Sequence, residues 1–439
     1  MNITVIGQGF VGLSLSVFLS SKNIFVNAID TDNNKVLNLK KGIPPFFEPN
    51  LENLLKKSIK SKKIKFYTAI DDIDNFGEIF FITVPTPNIN GKINLNFIFS
   101  VLESLLPKIK KLNIKPIIVI KSTISPGTTQ KKILPIFRKY FKKLGSDFFL
   151  SLNPEFLREG NAISDQINPH VVVLGCEDIF SRKKLNEFFM SIYGNKIPIV
   201  NTNFTTAELI KYTNNAFLAT KISFINSISN LCQKIPGSNI DEIAKVIGMD
   251  SRVGPLFLNA GPGFGGSCLP KDLESFISVF KENKINSNLF TSVKEINDDQ
   301  INNILNLITD KIPNLSSKTI SIYGLAFKEN SDDVRSSKSL ELISRLLSNK
   351  CRINVFDNLA ISNTKKIFKN KIFYYSSFEK CILNSDCLIL MHPLKIKNLN
   401  KKFFDKMKNP LIIDTRRSIN KKFSLVNCIE LGVNNNSFN

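Results

Sequence analysis

Residues 261–272 read GPGFGGSCLPKD. Four glycines between Gly261 and Gly266 lead into Ser267, Cys268, Pro270 and the pair Lys271–Asp272. Glycines at this density let a backbone turn sharply and lie directly against a ligand. Proline suits the first turn of a helix, which puts Cys268 at or just before a helix N-terminus. Unpaired N–H groups and the helix dipole favour a thiolate there. Asp272, one turn on, is placed to handle a proton or a water beside the sulfur. The stretch reads as a cysteine nucleophile in a loop that wraps a substrate. The competing reading is a glycine-rich loop around a buried, inert cysteine, the usual state of an unbonded thiol.

The elements that must position this loop begin at the N-terminus. An apolar run, Ile3–Ile6, is followed by the GxGxxG of Gly7, Gly9 and Gly12, then by a helical stretch Leu13–Ser21, a strand Phe25–Ile29 and Asp30. A lone GxGxxG says little. Between a strand and a helix, with an acid at the end of the next strand, it predicts a dinucleotide turn rather than a plain tight turn. The glycines let a pyrophosphate reach the helix N-terminus. Asp30 accepts from the adenosine ribose and repels a 2′-phosphate, which favours NAD over NADP.

Further near-continuous apolar strands follow at Glu78–Val84, Pro116–Lys121, Phe148–Leu152, Val171–Leu174 and Ile197–Val200. Such runs belong to a parallel sheet covered on both faces, and ligands of such sheets sit beyond the strand C-termini. Thr86, Thr123 and the segment Glu155-Phe156-Leu157-Arg158-Glu159 fall at those ends, although each could instead cap a helix. From Thr205 the pattern reads as one long helix capped by Thr205 or Thr206. Lys211 and Asn215 share a face of it, with Asn226 near the same stripe. A solvent-exposed strip is the alternative, but the helix is otherwise apolar enough to be buried between domains and against a second subunit. At Lys318 a second βαβ starts, with Asp357 closing its second strand. It lacks GxGxxG, so no second dinucleotide is expected. Lys328, Asp332, Asp333 and Arg335 stand where a charged ligand would arrive. The fold class is α/β, two Rossmann-like parallel-sheet domains joined by a long central helix. The expected boundaries are 1–204, 205–312 and 313–439, with a disordered tail after about Val433.

Composition narrows the function. With 43% hydrophobic residues the chain is an ordinary globular one. No apolar run is long enough for a bilayer, and the opening MNITVIG has no leader pattern, so the cytoplasm is the expected compartment. The seven cysteines include no CxxC pair and there are only two histidines, which argues against a disulfide framework, a zinc cluster or any other metal site. The net charge of +22 raises nucleic-acid binding, with Lys56–Lys65 as its best evidence. The lysines are scattered over the chain and no nucleic-acid motif accompanies them, so the charge is read as solvated surface that steers phosphorylated ligands.

Taken together, GQGFVG at Gly7–Gly12, EPNL at Glu48–Leu51, VPTP at Val84–Pro87, KSTISPGT at Lys121–Thr128, NPEFLREG at Asn153–Gly160, ELIKYTNNAFLATKISF at Glu208–Phe224, the Cys268 loop and GLAFKENSDDVRSS at Gly324–Ser337 resemble the nucleotide-sugar dehydrogenase family, on its UDP-glucose branch. The resemblance covers almost the whole chain. It implies oxidation of the primary alcohol of UDP-glucose to the carboxylate of UDP-glucuronate with two NAD, through a thiohemiacetal and a thioester on Cys268. It further implies that Lys211 and Asn215 stabilise the oxyanion, and that Asp272, Glu155 and Thr123 manage the proton and the water. NAD contacts are implied for Gly7, Gly9, Val11, Gly12, Asp30, Lys35, Thr86, Thr123, Glu159, Lys271 and Arg335. Sugar-nucleotide contacts are implied for Glu155, Phe156, Leu157, Arg158, Lys211, Asn215, Phe257, Leu258, Asn259, Ala260, Gly261, Gly265 and Lys328. Arg252 is expected to reach a neighbouring subunit's site in a homodimer or larger homo-oligomer. Two positions depart from the family. Ser227 stands where a glutamate often follows the helix asparagine, and Ser267 replaces the histidine usual in UDP-hexosamine dehydrogenases. GDP-mannose dehydrogenases share Ser267, so the same chemistry on GDP-mannose is the nearest rival. A non-catalytic NAD-binding protein is the rival from another class.

Overall fold

The N-terminal apolar run becomes β1 (Asn2–Ile6), and the glycine turn delivers the chain into a helix, Phe10–Ser21, buried from Gly12 to Ser20. The structure is a computed structural model describing residues 1–73, 75–396, 399–419 and 427–434. The chain forms two compact units, Met1–Asn214 and Asn215–Asn439.

In the first unit β1 is followed by β2 (Phe25–Ile29), β3 (Ile64–Tyr67), β4 (Ile79–Ile82), a small hairpin of β5 (Asn88–Ile89) and β6 (Lys92–Ile93), then β7 (Ile117–Ile120), β8 (Phe149–Leu152), β9 (Val172–Cys176) and β10 (Ile199–Thr202). Outside the hairpin they form one sheet ordered β10-β9-β8-β7-β4-β1-β2-β3. The run from β3 through β1 to β8 is the doubly wound dinucleotide order, with its switch point between β1 and β4. Successive strand residues enter opposite cores, as the two-residue period requires. Val5, Phe81 and Val119 pack on one face, Ile6, Phe80, Ile82, Ile118 and Ile120 on the other.

The sheet departs from the all-parallel expectation at one place. β9 runs antiparallel to β8, and β10 is parallel to β9. β9 is buried throughout, and a strand buried on both faces reads as an apolar run in either direction, so the sequence pattern carries no sign of the reversal. The long helix is present as Phe204–Cys232. Its cap is Asn203, whose Oδ1 accepts from the Thr206 N–H at 2.7 Å, rather than Thr205 or Thr206. The basic run Lys56–Lys65 is divided between the end of the helix Leu51–Lys60, a turn and the start of β3.

The second unit contains the helices Ile240–Met249, Leu269–Glu282 and Asn288–Thr309, then β11 (Thr319–Tyr323), β12 (Arg352–Phe356), β13 (Phe373–Tyr374), β14 (Cys387–Leu390), β15 (Leu411–Asp414) and β16 (Cys428–Glu430). These strands are parallel throughout and ordered β13-β12-β11-β14-β15-β16. The faint sequence echo of residues 2–30 is therefore the start of a second complete six-stranded sheet of the same order. Among the described residues no helix is long and apolar enough to cross a membrane. Residues 435–439, most of the tail expected to be disordered, lie outside the described residues.

Candidate active site

At the end of β1 the turn is built around close backbone approach. A Cβ added to Gly12 would stand 1.8 Å from the Gly7 carbonyl oxygen and 2.4 Å from Thr83 Oγ1, so only glycine fits. Thr83 Oγ1 donates to the Gly7 carbonyl at 2.7 Å and fixes the turn. Gly9 is different: a Cβ there meets nothing within 4 Å. It begins the helix Phe10–Ser21 with no side-chain cap, and Val11 lies in the first turn. An uncapped helix N-terminus fronted by a bare backbone is a fitting seat for a pyrophosphate. Asp30 ends β2. Its carboxylate accepts from Gln8 N–H at 2.8 Å and Asp32 N–H at 3.0 Å, and pairs with Lys35 at 2.8 Å. Gln8 and Lys35 both take Oδ2, so Oδ1, which accepts from Asp32 N–H, retains an acceptor direction for a ribose hydroxyl. Thr86 Oγ1 donates to the Thr123 carbonyl at 2.8 Å, joining the loops that follow β4 and β7.

Beyond β8 the chain enters Asn153–Gly160. The long helix delivers Lys211 to it, and the Lys211 ammonium donates to Glu155 Oε1 at 3.0 Å with both side chains buried. The same ammonium lies 5.6 Å from the centre of the Phe156 ring, and the Leu157 N–H donates to Glu155 Oε2 at 2.5 Å. Burial pushes the Glu155 carboxyl up. Lys211, the Leu157 N–H and Lys121 outweigh it and hold the group below the usual carboxylate range. Arg158 points elsewhere, forked onto Asp165 at 2.6 to 3.0 Å. Glu159 follows it in the turn that ends this loop. The loop is held from a distance by the buried Glu48 of EPNL, which accepts from Gly160 N–H at 2.7 Å and Ala162 N–H at 2.8 Å.

In the second unit Cys268 is the N-cap residue of the helix Leu269–Glu282, with Pro270 in its first turn. The Asp272 N–H donates to the Cys268 carbonyl at 2.8 Å. The Asp272 carboxylate is buried, accepting from Asn215 Nδ2 at 2.7 Å and pairing with Lys271 at 2.6 Å. Ser267 Oγ lies 3.5 Å from the Cys268 sulfur. Lys211 and Asn215 are one turn apart on the same helix. Cys268 and Cys428 are half-buried, and the other five thiols are buried. Burial pushes Cys176 and Cys351 up to about 11 and Cys381 and Cys428 up to about 12, with Cys387 moved in the same direction.

The glycine loop is threaded by amides. Asn226 Oδ1 accepts from Gly261 N–H at 2.8 Å, Gln300 Nε2 donates to the Gly261 carbonyl at 2.9 Å, and Asn297 bonds both backbone groups of Phe264. Asn226 thus supports the loop. Gly266 has φ +83° and an added Cβ would stand 2.7 Å from the Phe327 ring. A Cβ on Gly265 would meet the Ser336 carbonyl at 2.1 Å. Leu258 and Ala260 are buried in the unit's own core, so any ligand contact there is through backbone. Phe257 has a left-handed φ of 66° and Asn259 is exposed. The Lys328 ammonium stands 5.8 Å from the centre of the Phe327 ring. Asp357 accepts from Leu325 and Ala360 N–H groups at 2.7 and 2.9 Å, so it closes its own turn.

The expected site residues therefore gather in three clusters: the Gly7–Asp30 turn with Lys35, the Glu155–Phe156–Lys211 cluster, and Cys268 with Asp272, Asn215 and Lys271. The Arg335 carbonyl accepts from Gly266 N–H at 3.0 Å, two residues before Cys268. The guanidiniums of Arg158, Arg252 and Arg335 each fork onto a near neighbour, Asp165, Asp250 and Asp333. Sequence reasoning gave no role to Lys121, Glu48 or Glu208. Glu208 is buried on the long helix and accepts from the Gly127 N–H and from the N–H and hydroxyl of Thr129, at 2.8 and 2.6 Å for the latter two. It ties the loop that carries Thr123 to the helix that carries Lys211.

Three family models match in chain order: the NAD binding domain of the UDP-glucose/GDP-mannose dehydrogenase family over residues 1–193, its central domain over 205–299 and its UDP binding domain over 321–421. The chain belongs to the UDP-glucose/GDP-mannose dehydrogenase family. A UDP-glucose 6-dehydrogenase of Rickettsia bellii (strain RML369-C) is 37% identical over 425 residues, covering 95% of each chain. One of Bacillus subtilis (strain 168) is 36% identical over 419 residues, covering 95% of this chain and 93% of its own. Among solved structures, a UDP-glucose dehydrogenase from the archaeon Pyrobaculum islandicum superposes with a TM-score of 0.89 at 27% identity, over 99% of this chain and 97% of that one. In this family's terms the Gly7–Gly12 turn and Asp30 lie in the NAD-binding domain, and the Cys268 loop lies in the central domain.

Proposed function

We propose that the chain oxidises UDP-glucose to UDP-glucuronate in two hydride transfers that consume two NAD. The observation that carries this is Cys268 at the N-cap of a helix, with the buried Asp272 one turn on, held by Asn215 and Lys271. A single alcohol oxidation needs no nucleophile; the second oxidation does, because an aldehyde must gain a heteroatom before it can lose hydride.

The residues divide the work as follows. Gly9 and the uncapped helix behind it receive the pyrophosphate, and Asp30 takes the ribose hydroxyls. NAD, when bound, supplies the hydride acceptor. Lys211 carries a positive charge to the alkoxide that forms as the alcohol loses its proton, and Glu155 takes up that proton through the ion pair. The Cys268 thiolate adds to the aldehyde carbon, and Lys211 with Asn215 stabilises the tetrahedral oxyanion. Loss of the second hydride leaves a thioester. A water deprotonated by Asp272, with Glu155 and Thr123 ordering the path, attacks the carbonyl and releases the acid and the thiolate. Arg158, Phe257, Asn259, Gly261, Gly265, Lys328 and Arg335 complete the sugar-nucleotide and cofactor contacts, and the working division of the chain is 1–204, 205–312 and 313–439. A panel of UDP- and GDP-sugars assayed for NADH tests the reading. UDP-glucose yields two NADH per sugar; faster turnover of GDP-mannose contradicts the assignment.

Asp30 sets the cofactor. NAD is preferred over NADP in kcat/KM by on the order of 100-fold, because a 2′-phosphate meets a carboxylate already held in place by two backbone N–H groups. Comparable turnover with both would show that Asp30 does not face the ribose.

The working form is a homodimer or larger, located in the cytoplasm. Phe217, Phe224 and Leu231 are spaced seven apart on the long helix and are 62%, 50% and 54% exposed, the stripe two such helices bury against each other. Arg252, at the surface beside Asp250, is the residue that reaches the partner's sugar nucleotide. Light scattering gives at least twice the mass of one chain, and Phe224→Glu lowers both mass and activity. A fully active monomer would remove the idea.

A further inference from the structure

Lys121 follows β7 directly, and its ammonium is buried. It donates to Asn153 Oδ1 at 2.8 Å and reaches the Asn153 carbonyl at 3.5 Å. Asn153 Nδ2 in turn donates to the Val173 carbonyl at 2.9 Å. One amide thus joins the ends of β7 and β8 to β9, two residues before Glu155. A neutral donor could hold Asn153 as well, and burying a charge is costly. What lysine adds is therefore the charge. Glu155 and Lys211 are the charged groups acting on it. Burial pulls the Lys121 ammonium down to about 8, with Glu155 opposing and Lys211 adding to the fall.

We propose that Lys121 is a positioning residue for the oxidation: through Asn153 it sets where Glu155 stands, and as the second buried cation beside that carboxylate it keeps Glu155 ionised to take the substrate proton. This rests on the reading of Glu155 and Lys211 as site residues. The sign follows from charge. Without the Lys121 cation a proton binds Glu155 more readily, so the acid limb of kcat moves to higher pH.

The test compares wild type with Lys121→Met, Lys121→Gln and Lys121→Arg. The readings are kcat against pH at saturating UDP-glucose and NAD, NAD affinity by calorimetry, and thermal melting. Lys121→Gln keeps a donor for Asn153 and loses the charge. Its acid limb rises by about one pH unit, while kcat at pH 7, well above that limb, stays within about twofold of wild type, with NAD affinity unchanged. Lys121→Met shows the same shift and, with the donor to Asn153 also lost, a fall in kcat at pH 7. Lys121→Arg leaves the limb where wild type has it. Neutral variants whose limb does not move overturn the proposal. If neither neutral variant folds, the arginine variant decides: a limb at the wild-type position supports the proposal and a displaced limb overturns it. Wild type that releases no NADH from UDP-glucose at any pH is a failure of the functional reading, a different result from a limb that stays put.

Discussion

Cys268→Ala yields a folded chain that binds NAD and UDP-glucose and makes essentially no UDP-glucuronate. The substitution is benign to the fold because Cys268 is half-buried at a helix cap. The loop around it is held by Asn226, Asn297 and Gln300. The first hydride transfer does not use the thiol, so slow aldehyde formation remains. The second requires a heteroatom on the aldehyde carbon, and the loss there is at least about 1,000-fold in acid formed. Cys387→Ala, which removes a thiol buried in a core strand, behaves in the opposite way. Its cost is a cavity and a lower melting temperature, with kcat retained.

Lys211→Ala impairs both oxidations. The alkoxide of the first step and the tetrahedral oxyanion of the second lose the same cation, and removing one such stabilising group costs about 100- to 1,000-fold in kcat. The fold suffers as well. Glu155 remains buried without the ammonium 3.0 Å away, and breaking a buried pair costs about 3–5 kcal/mol. Glu155 is held below the usual carboxylate range in the native chain. The pair's contribution is thus present above the unfolded carboxyl pKa and lost as pH falls through the folded one. In Lys211→Ala burial is less opposed, Glu155 protonates at higher pH, and the acid limb of the residual activity moves upward. Product analysis showing normal aldehyde formation with only the second step lost would assign Lys211 to the thiohemiacetal alone.

The local signals in the sequence were legible because they are backbone requirements. GxGxxG between a strand and a helix, Asp30 at a strand end and Pro270 after Cys268 each specify a conformation within a few residues, and the turn and the helix cap are where they were expected. The long-range pins were not legible. Glu48 holds Gly160 across 112 residues and Glu208 holds Thr129 across 79, separations over which periodicity carries no information. Lys121 reads in sequence as the polar end of an apolar strand, and only the fold shows its ammonium turned inward to Asn153. The side-chain pairings of Arg158, Arg252 and Arg335 were not legible either, since each guanidinium pairs with an aspartate that its motif does not single out as a partner. The reversal of β9 escaped because burial on both faces erases strand direction.

Mass spectrometry of the products of Cys268→Ala, set against wild type under identical UDP-glucose and NAD, tests the central claim most directly. The account predicts UDP-glucuronate from wild type and, from the variant, unreacted UDP-glucose with at most a trace of the aldehyde. UDP-glucuronate formed by the variant at near the wild-type rate would contradict it and make Cys268 a packing residue.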